Sequence, residues 1–234
     1  MNAFTREICD RHNGVGADGV EWLLPSTGAD AAIRLVNADG SEAEISGNGT
    51  RCVAAYLVAN GAGRTLRIAT GAGIKTCALI SHHGHFFEFE TVMGRPTVGQ
   101  PFKLTINNKE VTGTPISMGN PHFVIFVQDF SRDWQAEAAE IQQQKTFKEG
   151  VNVEFVRVMA PNAVEVRFFE RGVGETQSSG TGSCASAVAA IAARQTTSPV
   201  AVNAPGGIQT VRWDGADVFL RGPAKIVCKG EFFA

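Results

Sequence analysis

Ser46-Gly47-Asn48-Gly49-Thr50-Arg51-Cys52-Val53-Ala54-Ala55 is a glycine loop running directly into an apolar segment, and the pattern returns at Ser179-Gly180-Thr181-Gly182-Ser183-Cys184-Ala185-Ser186-Ala187. At the offset of 133 residues that carries Ser46 to Ser179, Glu42 falls on Glu175, Gly47 on Gly180, Gly49 on Gly182 and Ala54 on Ala187. Solenoid repeats have periods of roughly 20–50 residues, so this spacing reads as a duplicated domain. Each loop opens a helix, one from about Thr50 to Ala59 closed by Asn60-Gly61, the other from about Ser183 to Arg194. Neither helix has a polar face, so each must be enclosed on all sides, as by strands wrapped around it.

The segments around the two loops have strand character. Val20–Leu24 and Ala31–Val36 precede the first, and Thr65–Ala69, Cys77–Ser81, Phe86–Glu90, Val111–Ser117 and His122–Val127 follow it. Phe/Glu alternation at the end of Phe86–Glu90 gives one face to a core and one to water. Val151–Met159 and Ala163–Glu170, parted by the turn residues Pro161-Asn162, lead to the second loop. Short strands at Val200–Val202, Ile208–Trp213, Val218–Arg221 and Ala224–Cys228 close the chain. Phe4 to His12 reads as a helix capped at Asn13-Gly14, and Asp133 to Gln144 as a solvated surface helix.

The bulk numbers restrict the class. The 234 residues suffice for two domains of roughly 100–130 residues, each with its own core. Apolar residues make up 44% and charged residues 19%, an ordinary globular composition. Lys and Arg total 21 against 23 Asp and Glu, without a run of like charge, so neither nucleic acid nor an anionic membrane is indicated. The start lacks a signal-peptide pattern, and no apolar stretch approaches the roughly 20 residues of a membrane span. Cys9, Cys52, Cys77, Cys184 and Cys228 form a scattered set without a CxxC pair, which reads as free thiols in a reducing cytoplasm.

A glycine loop entering a helix presents unpaired backbone N–H groups and the positive end of the helix dipole. Such a start binds anions without metal or cofactor. Two starts facing each other across a cleft would hold a substrate carboxylate and acidify its α-proton. Inversion at Cα then needs one group to take a proton from one face and another to deliver one to the opposite face. Ser46 and Ser179 occupy the two positions. Serine is equally a good N-cap, and the repeat alone leaves both readings open.

The wider context resembles the diaminopimelate epimerase family. The residues concerned are Asn37-Ala38-Asp39-Gly40-Ser41-Glu42 with Ser46 to Cys52, and Glu170-Arg171-Gly172-Val173-Gly174-Glu175-Thr176 with Ser179 to Cys184. Further matches are Asp10-Arg11-His12 with Gly14 to Asp18, Ser117-Met118-Gly119-Asn120-Pro121-His122, and Val151-Asn152-Val153 with Phe155. The resemblance runs from about residue 6 to the C-terminus. It implies an α+β fold of two pseudo-symmetric lobes, each a mostly antiparallel sheet curled around a central helix. Lobe one would span about 1–98 with a returning strand in 224–234, and lobe two about 99–223. It also implies interconversion of LL- and meso-diaminopimelate on the bacterial route to lysine and peptidoglycan, without cofactor or metal, by a cytoplasmic homodimer. The family's two catalytic cysteines fall on Ser46 and Ser179. Its substrate contacts fall on Asn37, Gly47, Asn48, Asn120, Asn152, Glu170, Arg171, Gly180 and Thr181. His122 and Glu170 would tune ionisation beside the thiol positions, and Arg171 would pair with a carboxylate.

Two departures stand out. A thiol near pKa 8.5 is drawn into range by a helix start and a neighbouring His, whereas a serine hydroxyl does not titrate in the ordinary protein range. Serine is nearly isosteric with cysteine, so binding should survive while epimerisation falls by orders of magnitude. The family also opens with a strand and a His-Gly-x-Gly-Asn-Asp-Phe type motif that contributes another substrate asparagine. This sequence starts at the following helix, which would leave an unpaired sheet edge and one pocket wall open.

Other signals weigh less. Gly14-Val15-Gly16-Ala17-Asp18-Gly19 fits GxGxxG, but a dinucleotide loop needs a strand before it and a helix after it, and the order here is reversed. His82-His83-Gly84-His85 lies at a hairpin-like turn without cysteine or carboxylate at ligand spacing and reads as a solvated turn. Cys52 and Cys184, inside the apolar helices, read as small buried thiols. Neither serine sits in a Gly-x-Ser-x-Gly elbow, which disfavours a serine hydrolase. A related cofactor-independent amino-acid racemase and a non-catalytic amino-acid-binding paralogue remain as alternatives.

Overall fold

The computed structural model describes residues 1–233, which divide into two compact units: Met1–Val92 with the segment from Gly222 onward, and Met93–Arg221. The first unit holds α1 (Asn2–Cys9), β1 (Gly19–Leu24), β2 (Ala31–Asn37), β3 (Glu42–Ala43), α2 (Gly47–Ala59), β4 (Thr65–Thr70), β5 (Gly73–His83) and β6 (Phe86–Gly94). The second continues with β7 (Thr97–Val98), β8 (Phe102–Ile106), β9 (Lys109–Ser117), β10 (Pro121–Phe126), α3 (Trp134–Gln142), β11 (Asn152–Ala160) and β12 (Ala163–Glu170). β13 (Gly174–Thr176), α4 (Gly180–Ala192), β14 (Val200–Ala204), β15 (Gly207–Trp213) and β16 (Val218–Lys225) complete the chain. Among the described residues no helix is long and apolar enough to cross a membrane.

Within unit 1 the strands run β1-β2-β4-β5-β6, with the last residues of β16 beside β6 and β3 added to β2. Within unit 2 they run β16-β15-β14-β12-β11-β10-β9-β7, with β13 on β12 and β8 on β9. Most pairs are antiparallel. The exceptions are β10–β11 and two crossovers, β2–β4 around α2 and β12–β14 around α4. The expected α+β architecture is therefore the one found. The duplication extends to strand register, because Glu21 of β1 pairs with Leu35 while Glu154 of β11 pairs with Phe168, both 133 residues on.

Small residues decide how α4 packs. Eleven of its residues, Gly180 to Ala190, are buried, and glycine, alanine and serine let the surrounding strands close on the backbone. Val164, Val166, Phe168, Val200, Val202 and Val211 form that wall. α2 departs from the expectation of full enclosure. Val53, Ala54 and Ala55 pack against Leu66, Ile68, Leu79 and Phe89, but Cys52 and Tyr56 are exposed. The unit 1 sheet path is shorter than that of unit 2, so it covers one face of its helix. Cys52 is accordingly an exposed thiol, whereas Cys184 is buried as expected.

Three elements also differ from expectation. α1 stops at Cys9 rather than His12, because the Asp10 carboxylate accepts from the backbone N–H groups of His12 (2.8 Å) and Asn13 (2.6 Å) and forms a turn there. Asp133 caps α3 as a solvated helix would require, yet Trp134, Ala138 and Ile141 form a buried i, i+4, i+7 face against Val153 and Phe155. The first five residues of β11 are thereby buried on both faces. β16 is one strand rather than two, its alternating burial continuing through Gly222 and Pro223.

Candidate active site

Each repeated loop forms the first turn of its helix, so α2 begins at Gly47 and α4 at Gly180. Ser46 is the N-cap of α2, in extended backbone, and its Oγ accepts from Gly49 N at 3.0 Å. Ser179 caps α4 in the same way, accepting from Gly182 N at 3.1 Å. The N-cap role is thus realised at both positions, and Gly47 and Asn48, like Gly180 and Thr181, are the first two residues of their helices. Ser179 is buried and Ser46 half-buried.

In unit 2 a connected polar network reaches the first turn of α4, which Ser179 caps. Asn120 Nδ2 donates to Thr181 Oγ1 at 3.3 Å, and Asn120 Oδ1 lies 3.0 Å from His122 Nε2. His122 Nδ1 in turn meets Glu154 Oε1 at 2.6 Å, with both side chains buried. Burial raises the Glu154 carboxyl above the usual carboxylate range, opposed by His122 and reinforced by the negative charge of Glu170. Asn152 donates to Pro121 O at 3.0 Å and accepts from Arg171 N at 2.9 Å, so it fixes the end of β12. The Arg171 side chain is exposed and lies over Gly150, where a Cβ would stand 2.6 Å from its Cδ, and Nη1 donates to Glu149 O. Asn120, His122, Asn152, Arg171 and Thr181 are therefore linked to the first turn of α4, and Glu170 acts on Glu154 through its charge.

Unit 1 carries the remaining positions. Asn48 Oδ1 accepts from Arg51 Nη2 at 2.6 Å, and Arg51 Nε donates to Pro223 O at 3.3 Å. This places Asn48 within the first turn of α2. Asn37 donates to Ser41 Oγ at 3.0 Å inside its own turn, where Gly40 adopts φ +83° and a Cβ would strike the Arg6 guanidinium. The GxGxxG segment lies between α1 and β1, the reverse of a dinucleotide loop. His82 stacks on Phe87 with centroids 4.3 Å apart, and its Nε2 lies 2.6 Å from Gly84 O.

Two carboxylates at the helix starts escape motif-based reading. A Cβ at Gly182 would stand 3.0 Å from Glu154 Oε1, and one at Gly49 would overlap Glu21 Oε1. Glu21 and Glu154 are separated by the same 133 residues as the two serines, which is the signal that finds them.

The fold is shared with a hydroxyproline epimerase from Agrobacterium vitis, at TM-score 0.74 and 19% identity over 94% of this chain and 76% of that one. At that identity the likeness is one of fold. At the sequence level, the profile of the family described as diaminopimelate epimerase matches residues 1–98 and 114–227. The diaminopimelate epimerase of Pelotomaculum thermopropionicum is 39% identical, over 97% of this chain and 87% of that protein. That of Elusimicrobium minutum is also 39% identical, over 99% and 90%. The chain belongs to the diaminopimelate epimerase family.

Proposed function

We propose that this chain binds diaminopimelate and is organised to interconvert its LL and meso forms by proton removal and delivery at Cα, without a cofactor, with turnover depressed by Ser46 and Ser179. The observation carrying this reading is the repeated helix start, capped by Ser46 and Ser179, in a chain of this family. Within each unit the first turn of the helix, at Gly47 and Asn48 in unit 1 and at Gly180 and Thr181 in unit 2, suits a substrate carboxylate. Asn37, Asn120, Asn152, Glu170 and Arg171 hold the remaining polar groups. His122 and Glu170 set the charge beside Ser179.

A serine hydroxyl lacks an accessible anionic form at neutral pH, so neither position supplies an effective base. That favours a second reading, in which the chain holds diaminopimelate without turning it over. We further propose a homodimer, on the family resemblance, acting in the cytoplasm. The five free cysteines fit a reducing compartment.

Incubation with LL-diaminopimelate in deuterated water tests the chemistry. The chain should incorporate little deuterium at Cα, and a Ser46→Cys/Ser179→Cys variant should incorporate it at least a hundredfold faster. Rapid exchange by the unaltered chain would overturn the argument from hydroxyl ionisation. Binding of the diacid without exchange in either form would favour the second reading.

A further inference from the structure

Glu21 sits on β1 with its carboxylate against the first turn of α2. Its Oε1, Cδ and Cγ are the three nearest atoms to the space a Cβ at Gly49 would fill. Gly49 is the third residue of that helix, and its N–H goes to Ser46 Oγ. In a capping box a glutamate at this third position turns back towards the N-cap. Here the third position has no side chain, and a carboxylate from the neighbouring strand occupies the region instead. Unit 2 repeats the arrangement with Glu154 against Gly182, in the same strand register.

The two carboxylates differ in their partners. Glu154 Oε1 is met by His122, whereas both oxygens of Glu21 are shielded from solvent with no hydrogen-bond partner. An unpartnered buried carboxylate is costly as an anion and holds a proton instead.

We propose that Glu21 is a positioning residue of the Ser46 half-site, the counterpart of Glu154, which holds a proton at the α2 start and retains it when an anion binds there. The proposal rests on the assignment of a substrate carboxylate to that start. An arriving carboxylate and an ionised Glu21 would repel at close range, so binding the one keeps the other neutral. Burial alone, which lifts the Glu21 carboxyl to about 7, brings the exchange into the physiological range. The titratable and charged groups on the elements packed against β1 are Arg51, Cys52 and Tyr56 on α2, Arg34 on β2, and Arg6, Glu7 and Cys9 on α1. Arg34 is engaged by Glu42.

Two measurements test this. In the ligand-free protein, the backbone amide of Gly49 should shift with a midpoint near pH 7, and Glu21→Gln should abolish that titration. A Gly49 amide that stays flat from pH 5.5 to 8.5, or that titrates unchanged in Glu21→Gln, overturns the proposal. In calorimetry with LL-diaminopimelate at pH 8, the parent should take up more protons per ligand than Glu21→Gln. Its affinity should also fall by up to about tenfold per pH unit above 7 relative to that variant. Equal proton uptake and parallel pH profiles would refute the coupling. Absence of binding by both proteins, with the Gly49 titration intact, would instead refute the assignment of a substrate carboxylate to this start and, with it, the coupling to binding.

Discussion

His122 Nδ1 lies 2.6 Å from Glu154 Oε1, and neither side chain has more than 1% of its surface exposed. The other ring nitrogen faces Asn120 Oδ1, which can only accept, so Nε2 carries a hydrogen. A carboxylate and a bare Nδ1 would repel at that distance, so a further proton lies between them. The pair is thus a buried proton store, joined through Asn120 to Thr181 in the first turn of α4.

Breaking this pair from one side should be costly. His122→Ala leaves Glu154 without its partner in a dry site, and the expected loss is about 3–5 kcal/mol in urea denaturation. A double His122→Leu/Glu154→Leu variant removes both polar groups and should lose less than the single substitution. A double variant that loses the sum of two large single effects would contradict the assignment of a coupled pair.

Glu21 makes stability depend on pH with a definite sign. Its folded value is raised, so folding takes up a proton between the ordinary carboxylate range and about 7. The stabilisation is complete below that window, declines as pH rises through it, and stays lost above about 7. Glu21→Gln should flatten this part of the profile and be the more stable form at pH 8, by roughly 2–3 kcal/mol. Urea midpoints of both proteins at pH 5 and 8 provide the comparison, and parallel profiles would rule out the carboxyl as the source.

Gly49 and Glu21 should behave as a lock and its key. Gly49→Ala improves helix propensity by about 1 kcal/mol, yet its methyl would overlap Glu21 Oε1. We expect a net loss of about 1–3 kcal/mol in the parent and a gain or no change in a Glu21→Ala background. Thermal unfolding of the four combinations measures the reversal, and additive effects would exclude the contact.

Ser179 contributes to stability whatever its chemistry. Ser179→Ala removes the acceptor of the Gly182 N–H and should cost about 1 kcal/mol, while Ser179→Gly should cost only a few tenths. An alanine variant as stable as the parent would mean that the cap hydrogen bond is replaced by solvent.

Much of this fold was legible because the chain repeats itself. The spacing of Ser46 and Ser179 located both helix starts, and strand alternation located most of the sheet. The exposed side of α2 was not legible, since a segment such as Val53-Ala54-Ala55 is apolar whether strands cover one face or all faces. The buried edge of α3 was missed because Trp134, Ala138 and Ile141 are set among four polar or charged residues and small alanines. β16 read as two pieces because Gly222-Pro223 resembles a break, yet its burial alternates straight through it. Glu21 and Glu154 belong to no motif. Their importance comes from the missing side chains of Gly49 and Gly182, which a composition-based reading counts only as flexibility.

Unit 2 lies wholly inside the sequence of unit 1, which is left at Val92 and resumed at Gly222. Ala224 and Ile226 of the resumed segment join the same apolar core as Leu66 and Phe89. A ribosome therefore releases most of unit 1 first and its closing strand last. At about 5–20 residues per second, roughly 6–26 s of translation separate the two. During that interval β6 has no partner on its outer side, so the nascent chain must outlast an open sheet edge before the first unit can be finished.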